Sequence, residues 1–177
     1  MKFFRLLSVL FLLLAMHSNS FATHIRAGEI TAVRVPGATL SYRFTLTVYT
    51  DSTSTVENPT ATLHFGDGNQ QEVTRNGDPR PILGNKTWIN TYNFTHTYSA
   101  SRTYTVYYFE ANRNENVLNM SNSDQVSFYI ETQLTIDPSL PPNNSPVLTV
   151  PPVDLACTNR IWSVSYTHLT LPTNREV

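Results

Sequence analysis

The sequence predicts an all-β protein, an antiparallel β-sandwich of about seven to eight strands, on three observations. Helical periodicity is nearly absent between residues 23 and 162, while Thr, Val, Tyr and Phe crowd segments in which apolar and polar residues alternate. Turn signals built on Gly, Pro, Asn and Asp separate those segments at short intervals. Cys157 is the only cysteine, so no disulfide or cysteine-based metal site can staple the domain, and a shared apolar interior must hold it.

The elements follow in order. "GEITAVRV" and "TLSYRFTLTVYT" flank Pro36-Gly37 and predict a hairpin. In the second segment Leu40, Tyr42, Phe44, Leu46 and Val48 share one face, and Ser41, Arg43, Thr45 and Thr47 the other, the pattern of a half-buried strand. After the polar loop "DSTSTVENP", the strand "TATLHFG" aligns Leu63 with Phe65, and "QQEVTR" is its short partner beyond a Gly-Asp-Gly turn. "NGDPRPILGNK" reads as loop, and "TWINTYNFTHTY" and "TYTVYYFEA" as strands, the latter with Tyr104, Val106 and Tyr108 facing together. "NRNENVLNMSNS" is a polar loop, and "DQVSFYIETQLTI" the last long strand.

The two ends are different material. Residues 1–22 carry Lys2 and Arg5 ahead of an apolar run from Leu6 to Met16, with Ser20 and Ala22 at the positions a signal peptidase reads. That predicts a secretory signal peptide cleaved after Ala22, the run being too short to span a bilayer; an uncleaved anchor is the lesser reading. Its two cations leave with it, lowering the formal charge from −1 to −3, and the remaining charges are scattered. No basic stripe is present for nucleic acid. Residues 23–137 form the sandwich domain, and the Pro-rich segment 138–152 reads as a semi-rigid linker. Residues 153–163 read as the start of a truncated second domain. The tail, 164–177 ("VSYTHLTLPTNREV"), resembles one reading frame of a transposon adapter used in sequencing libraries, so it is expected to be foreign.

"HFGDG" (64–68) raises the chemical question, because Asp67 between two glycines can turn the chain or hold a cation. Glycine reaches positive φ at least cost, and an aspartate can accept hydrogen bonds from nearby amides, so a turn explains the motif without a ligand. Calcium is the lesser reading. It needs several converging oxygens, and Asp51 and Asp78 are the acids that would have to approach Asp67.

"HFGDG" followed by "FTHTYSASRTYTV" resembles the two signature segments of the polycystic-kidney-disease-type (PKD) domain: an aromatic-Gly-Asp-Gly turn, then His-x-Tyr, then Thr-Tyr-x-Val. Phe65, Gly66, Asp67, Gly68, His96, Tyr98, Thr103, Tyr104 and Val106 match. Arg102 stands where that family usually has Gly, and the gap between the segments is long, so the expectation is a PKD-like domain. The resemblance implies an immunoglobulin-like sandwich serving outside cells as a spacer or adhesive module. "THIRAGEIT", "YRFTLTVYTD" and "NNSPVLTVPPVDLAC" further resemble the amino-terminal region of large Bacteroidetes surface proteins that carry a gliding-motility or type IX secretion C-terminal domain. That implies a bacterial cell-surface location and further domains of the same protein as partners.

Other candidate sites are sparse. His24, His64 and His96 have no close-spaced ligand pair among them, and no nucleophile-elbow motif is present, so no catalytic, metal or cofactor site is expected. Trp88, Tyr92, Tyr107 and Tyr129 are candidates for an aromatic platform that would stack on surface polysaccharide, against ordinary strand aromatics. Ser52, within Asp51-Ser52-Thr53, resembles the short O-glycosylation motif of Bacteroidetes envelope proteins, and Asn85, Asn93 and Asn119 open N-glycosylation tripeptides read as chance. The expected role is a non-catalytic extracellular module for display, spacing or adhesion. The alternative is a carbohydrate-binding module of a polymer-degrading enzyme.

Overall fold

Alternation along the chain becomes two facing sheets. A computed structural model describes residues 24–115, 117, 120–141, 144–148 and 169–170. The signal peptide, the start of the second domain with Cys157, Asn119 and all of the tail but Leu169 and Thr170 lie outside the described residues.

β1 (Ile25–Arg34) and β2 (Ser41–Asp51) form the expected hairpin, with Gly37 at φ +78° in its turn. β3 (Thr60–His64) and β4 (Gln70–Thr74) form a second hairpin across the Gly-Asp-Gly turn. β5 (Ile82–Leu83), β6 (Thr87–Thr97), β7 (Thr103–Glu110) and β8 (Phe128–Thr135) complete the domain. One sheet runs β1-β2-β6-β5 and the other β4-β3-β7-β8, every pairing antiparallel. In immunoglobulin lettering this is A-B-E-D against C-F-G, with β4 added beside C. The all-β sandwich expected from the alternation is therefore the fold.

Tyr42, Phe44, Leu46 and Val48 of β2, Tyr92 and Phe94 of β6, Leu63 and Phe65 of the β3 arm, and Tyr104, Val106 and Tyr108 of β7 fill the interior. Each large apolar side chain removed from water contributes roughly 1.5–3 kcal/mol, enough in sum to replace the missing disulfide. Two of the interior tyrosines carry their hydroxyls out to acceptors at the rim: Tyr92 donates to the Asn58 carbonyl (2.7 Å) and Tyr108 to Glu110 (3.0 Å).

Three expectations change. "PIL", expected as loop, contributes β5, whose Ile82 and Leu83 pair with Trp88 and Thr87. The last long strand starts at Phe128, because Ser123–Gln125 form a single 3-10 turn after Asn122 takes a left-handed conformation. The Pro-rich segment is not only a spacer. The Ser145 amide donates to the Ala32 carbonyl, the Ala32 amide to the Ser145 hydroxyl, and the Arg34 amide to Asn144 Oδ1, at 2.9, 2.9 and 3.1 Å. These bonds cover the open edge of β1, an edge that would otherwise offer itself to another strand. Beyond them β9 (Val147–Leu148) pairs with β10 (Leu169–Thr170), so the tail segment supplies a partner strand.

Strand direction gives the sandwich two unlike ends. The β1–β2 turn, the Gly-Asp-Gly turn and the β6–β7 corner gather at one, which we call the turn end. The other, the loop end, gathers the long connections 52–59, 75–81 and 111–127, the position occupied by the antigen-binding loops in immunoglobulin variable domains.

Candidate functional site

At the turn end the motif residues converge. Gly66 has φ +79°, and a Cβ there would overlap the Thr105 carbonyl oxygen and lie 2.9 Å from its amide nitrogen. Only glycine lets this turn press onto β7. Gly68, at φ +92°, has open space, so its requirement is conformational alone. Asp67 Oδ1 accepts from the Asn69 amide (3.0 Å), and Oδ2 from the Asn69 side chain (3.1 Å) and His96 Nε2 (2.7 Å). Burial pushes the Asp67 carboxyl up, but the His96 hydrogen bond and the two Asn69 bonds outweigh it and hold it below the usual range. The carboxylate is thus ionised and acceptor-only, which puts the proton on His96 Nε2.

The His96 ring stacks on Phe65 at 4.1 Å and meets the Tyr98 edge at 4.7 Å. Tyr98 donates to the Phe65 carbonyl (3.1 Å) and stacks on Tyr104 at 4.0 Å. Tyr104 reaches back to the Ala100 carbonyl at 2.7 Å, the tyrosine corner of immunoglobulin-like sandwiches at the start of the F-equivalent strand. Val106 is fully buried behind it. Arg102, at the position where a glycine was expected, is not left-handed; its guanidinium lies 4.7 Å from the Tyr104 ring centroid. Asp67 therefore turns the chain and ties it to β6. Asp51 and Asp78 do not approach it, being held by Arg26 and Arg75 at the other end. Among the described residues no three His, Cys, Asp or Glu side chains converge as metal ligands.

The loop end is a polar network. Arg26 binds Asp51 and the Asn85 carbonyl, and Arg75 contacts Glu57, the Asn58 carbonyl and Asp78, while Arg80 binds Glu57. Burial raises the Asp51 carboxyl, yet the Thr53 hydroxyl and amide and the Arg26 guanidinium together bring it down to about 2. His24 is 4% exposed, and its pKa is lowered by burial and then by Arg80, against the pull of Asp51 and Glu57. His24 Nδ1, Asn58 Oδ1 and Arg75 Nε are buried without a partner, so this end is less completely satisfied than the other.

The aromatic candidates separate. Tyr92 is 1% exposed and cannot stack on a surface ligand, a correction to the platform expected from sequence; its position on β6 faces the interior beside Leu46. Trp88 is half-buried, with Arg80 over its ring at 4.6 Å. Tyr107 and Tyr129 do meet, on the outer face of the β4-β3-β7-β8 sheet, with His64 and Phe109 beside them. Tyr107 lies between His64 (4.4 Å, 1° between planes) and Tyr129 (5.7 Å), so both its faces are taken. The hydrocarbon left open is Phe109 and Tyr129, cross-strand neighbours that are 53% and 49% exposed. Phe109 and the imidazole of His64 were not singled out for this role in the sequence. Strand parity could have found Phe109, since it shares the outer face with Tyr107.

Beside this strip the sheet opens. β3 and β7 pair at one position, His64 opposite Tyr107. A groove of about 470 Å³ lies where the strands part, lined by Thr60, Thr62, Gln70, Glu72, Phe109 and Glu110 among others. Ser52 lies half-buried in the turn after β2, its amide bound to the Lys86 carbonyl, and Asn93 is engaged by Thr45 on the sheet surface. Among the described residues no helix is long and apolar enough to cross a membrane. No family model, curated protein or solved structure matches the chain.

Proposed function

We propose that the chain is a non-catalytic adhesive module of a large cell-surface protein, PKD-like in kind and exported through its amino-terminal signal peptide. One observation carries the reading. The residues of the aromatic-Gly-Asp-Gly and His-x-Tyr segments join in a single structural lock at the turn end of an immunoglobulin-ordered sandwich, with His96 and Asp67 spent on each other. A domain whose acid-base residues serve to stiffen it is suited to presenting a surface, and the loops and outer sheet face are the surfaces it presents. The exposed Phe109–Tyr129 pair favours adhesion over spacing alone, with polysaccharide as the partner.

Beads coated with the full chain should adhere to polysaccharide-coated surfaces more strongly than albumin-coated beads, without releasing reducing ends. Release of reducing sugar would mark an enzyme and overturn the reading, as would adhesion no better than albumin. In the producing cells, the protein should be accessible to protease added outside.

A further inference from the structure

The groove between β3 and β7 combines features that select one class of ligand. Its volume, about 470 Å³, falls in the range of small-molecule sites. Its polar lining mixes donors and acceptors: the Thr60 and Thr62 hydroxyls, the Gln70 amide and the Glu72 and Glu110 carboxylates. No lysine or arginine lines it. Phe109 stands at its margin, more than half exposed, and Tyr129 continues the apolar surface across the neighbouring strand.

From this juxtaposition we propose that the groove is a sugar-binding subsite, taking one or two uncharged pyranose units of a polysaccharide whose chain runs on over Phe109 and Tyr129. The inference rests on the adhesive reading above and names its site. A sugar hydroxyl both donates and accepts, so it is matched by a lining that holds amide and hydroxyl donors beside carboxylate acceptors. The C–H-rich face of a pyranose packs on the negative face of an aromatic ring, which Phe109 and Tyr129 leave open and Tyr107 does not. Two carboxylates with no lysine or arginine in the lining, and His64 there stacked on Tyr107, disfavour an acidic polymer, so uronic and sulfated glycans are not the preferred ligand. A purely cationic ligand would be served by acceptors alone and would leave the Thr60, Thr62 and Gln70 donors without a role. Glu110 is also partly committed, since it accepts from the Tyr108 hydroxyl, which leaves Glu72 as the free carboxylate for a sugar diol.

Isothermal titration of the full chain with cellohexaose, mannohexaose, xylohexaose and chitohexaose, with polygalacturonate and hexalysine as comparators, tests it. At least one neutral hexasaccharide should bind, and Phe109→Ala and Glu72→Gln should each weaken it by about tenfold or more. Both side chains are exposed, so the variants should keep the parent melting midpoint. Trp88→Ala, at the loop end, should leave affinity unchanged. Neutral-sugar binding lost in Trp88→Ala but kept in Phe109→Ala would overturn the groove while sparing the adhesive reading. Binding of none of the four hexasaccharides, or preference for polygalacturonate or hexalysine, would overturn the groove as a sugar site.

Discussion

The two ends of the sandwich are built from similar residues under different rules. At the turn end every left-handed residue among those described is a glycine (Gly37, Gly66 and Gly68), and the polar atoms of Asp67, Tyr98 and Tyr104 are all bonded. At the loop end the left-handed residues include Asn85, Lys86 and Asn122, and buried polar atoms on His24, Asn58 and Arg75 lack partners. One end has been resolved in favour of rigidity. The other keeps unsatisfied polar groups and strained backbone, which in a folded domain is where function or adaptability is retained.

The largest test of that contrast lies within one turn. Gly66→Ala must accept both a left-handed alanine and a clash with the Thr105 backbone, and should cost about 3 kcal/mol or more in urea unfolding of the full chain. Gly68→Ala meets open space and should cost only about 1 kcal/mol. Equal effects would show that the close approach of the turn to β7 is not what holds this end.

Removing one polar partner from each end gives the next largest effect. Tyr98→Phe deletes a buried hydroxyl and leaves the Phe65 carbonyl without its donor, at a cost of about 1–2 kcal/mol. Arg75→Met keeps much of the buried stem and removes a guanidinium whose Nε has no partner. Its carboxylate partners Glu57 and Asp78 are 53% and 70% exposed and can return to water, the Asn58 carbonyl keeps the Tyr92 hydroxyl, and the buried Asn90 Oδ1 loses only a long contact of 3.5 Å. The cost should be under about 1 kcal/mol. If Arg75→Met proves the more damaging, the loop end is the structural one.

Acid separates the ends by pH. The folded pKa of His24 lies below its ordinary 6.5. From pH 6.5 downward the unfolded chain therefore takes up a proton that the folded chain refuses, and stability falls until the buried imidazole also protonates. Asp51 is lowered from 3.8 to about 2, and Asp67 is lowered too, so their contributions are complete above pH 3.8 and are lost as pH falls below it. Glu29, raised by burial above its ordinary 4.5, works in the opposite sense and should add stability as pH falls toward 4.5. The difference between the parent and His24→Gln isolates the histidine: the variant should lose less stability than the parent as pH falls below 6.5. Parallel curves throughout would remove His24 from the account.

Much of this was legible in the chain, and the reasons are local. The β1–β2 hairpin followed from Pro36-Gly37 and the period-two pattern around Phe44, and the Gly-Asp-Gly turn from its glycines, because such signals act over a few residues. What sequence did not reveal depends on distant neighbours. Tyr92 reads like any strand aromatic until β6 is placed between β2 and β5, where its register opposite Leu46 sends it inward. Ile82 and Leu83 sit among prolines and glycines and become a strand only because Trp88 and Thr87 lie across from them. The groove has no local sign at all. It arises where β3 and β7, some forty residues apart in the chain, pair once and then part.

The smallest effect concerns the strained turn between β5 and β6. Lys86 adopts φ 56° with a β-carbon, which costs roughly 1 kcal/mol, whereas Asn85 beside it, at 59°, is a residue that tolerates this region. Lys86→Gly relieves the strain but gives the unfolded chain more freedom, worth about 0.5–1 kcal/mol in the other direction. The balance should be a stabilisation of at most about 0.5 kcal/mol, seen as a rise of roughly 1–3 °C in melting midpoint. Asn85→Gly should give no such rise. A lower midpoint in Lys86→Gly would mean that the lysine side chain contributes more to the loop end than its backbone costs, and that this end is less strained than its dihedral angles imply.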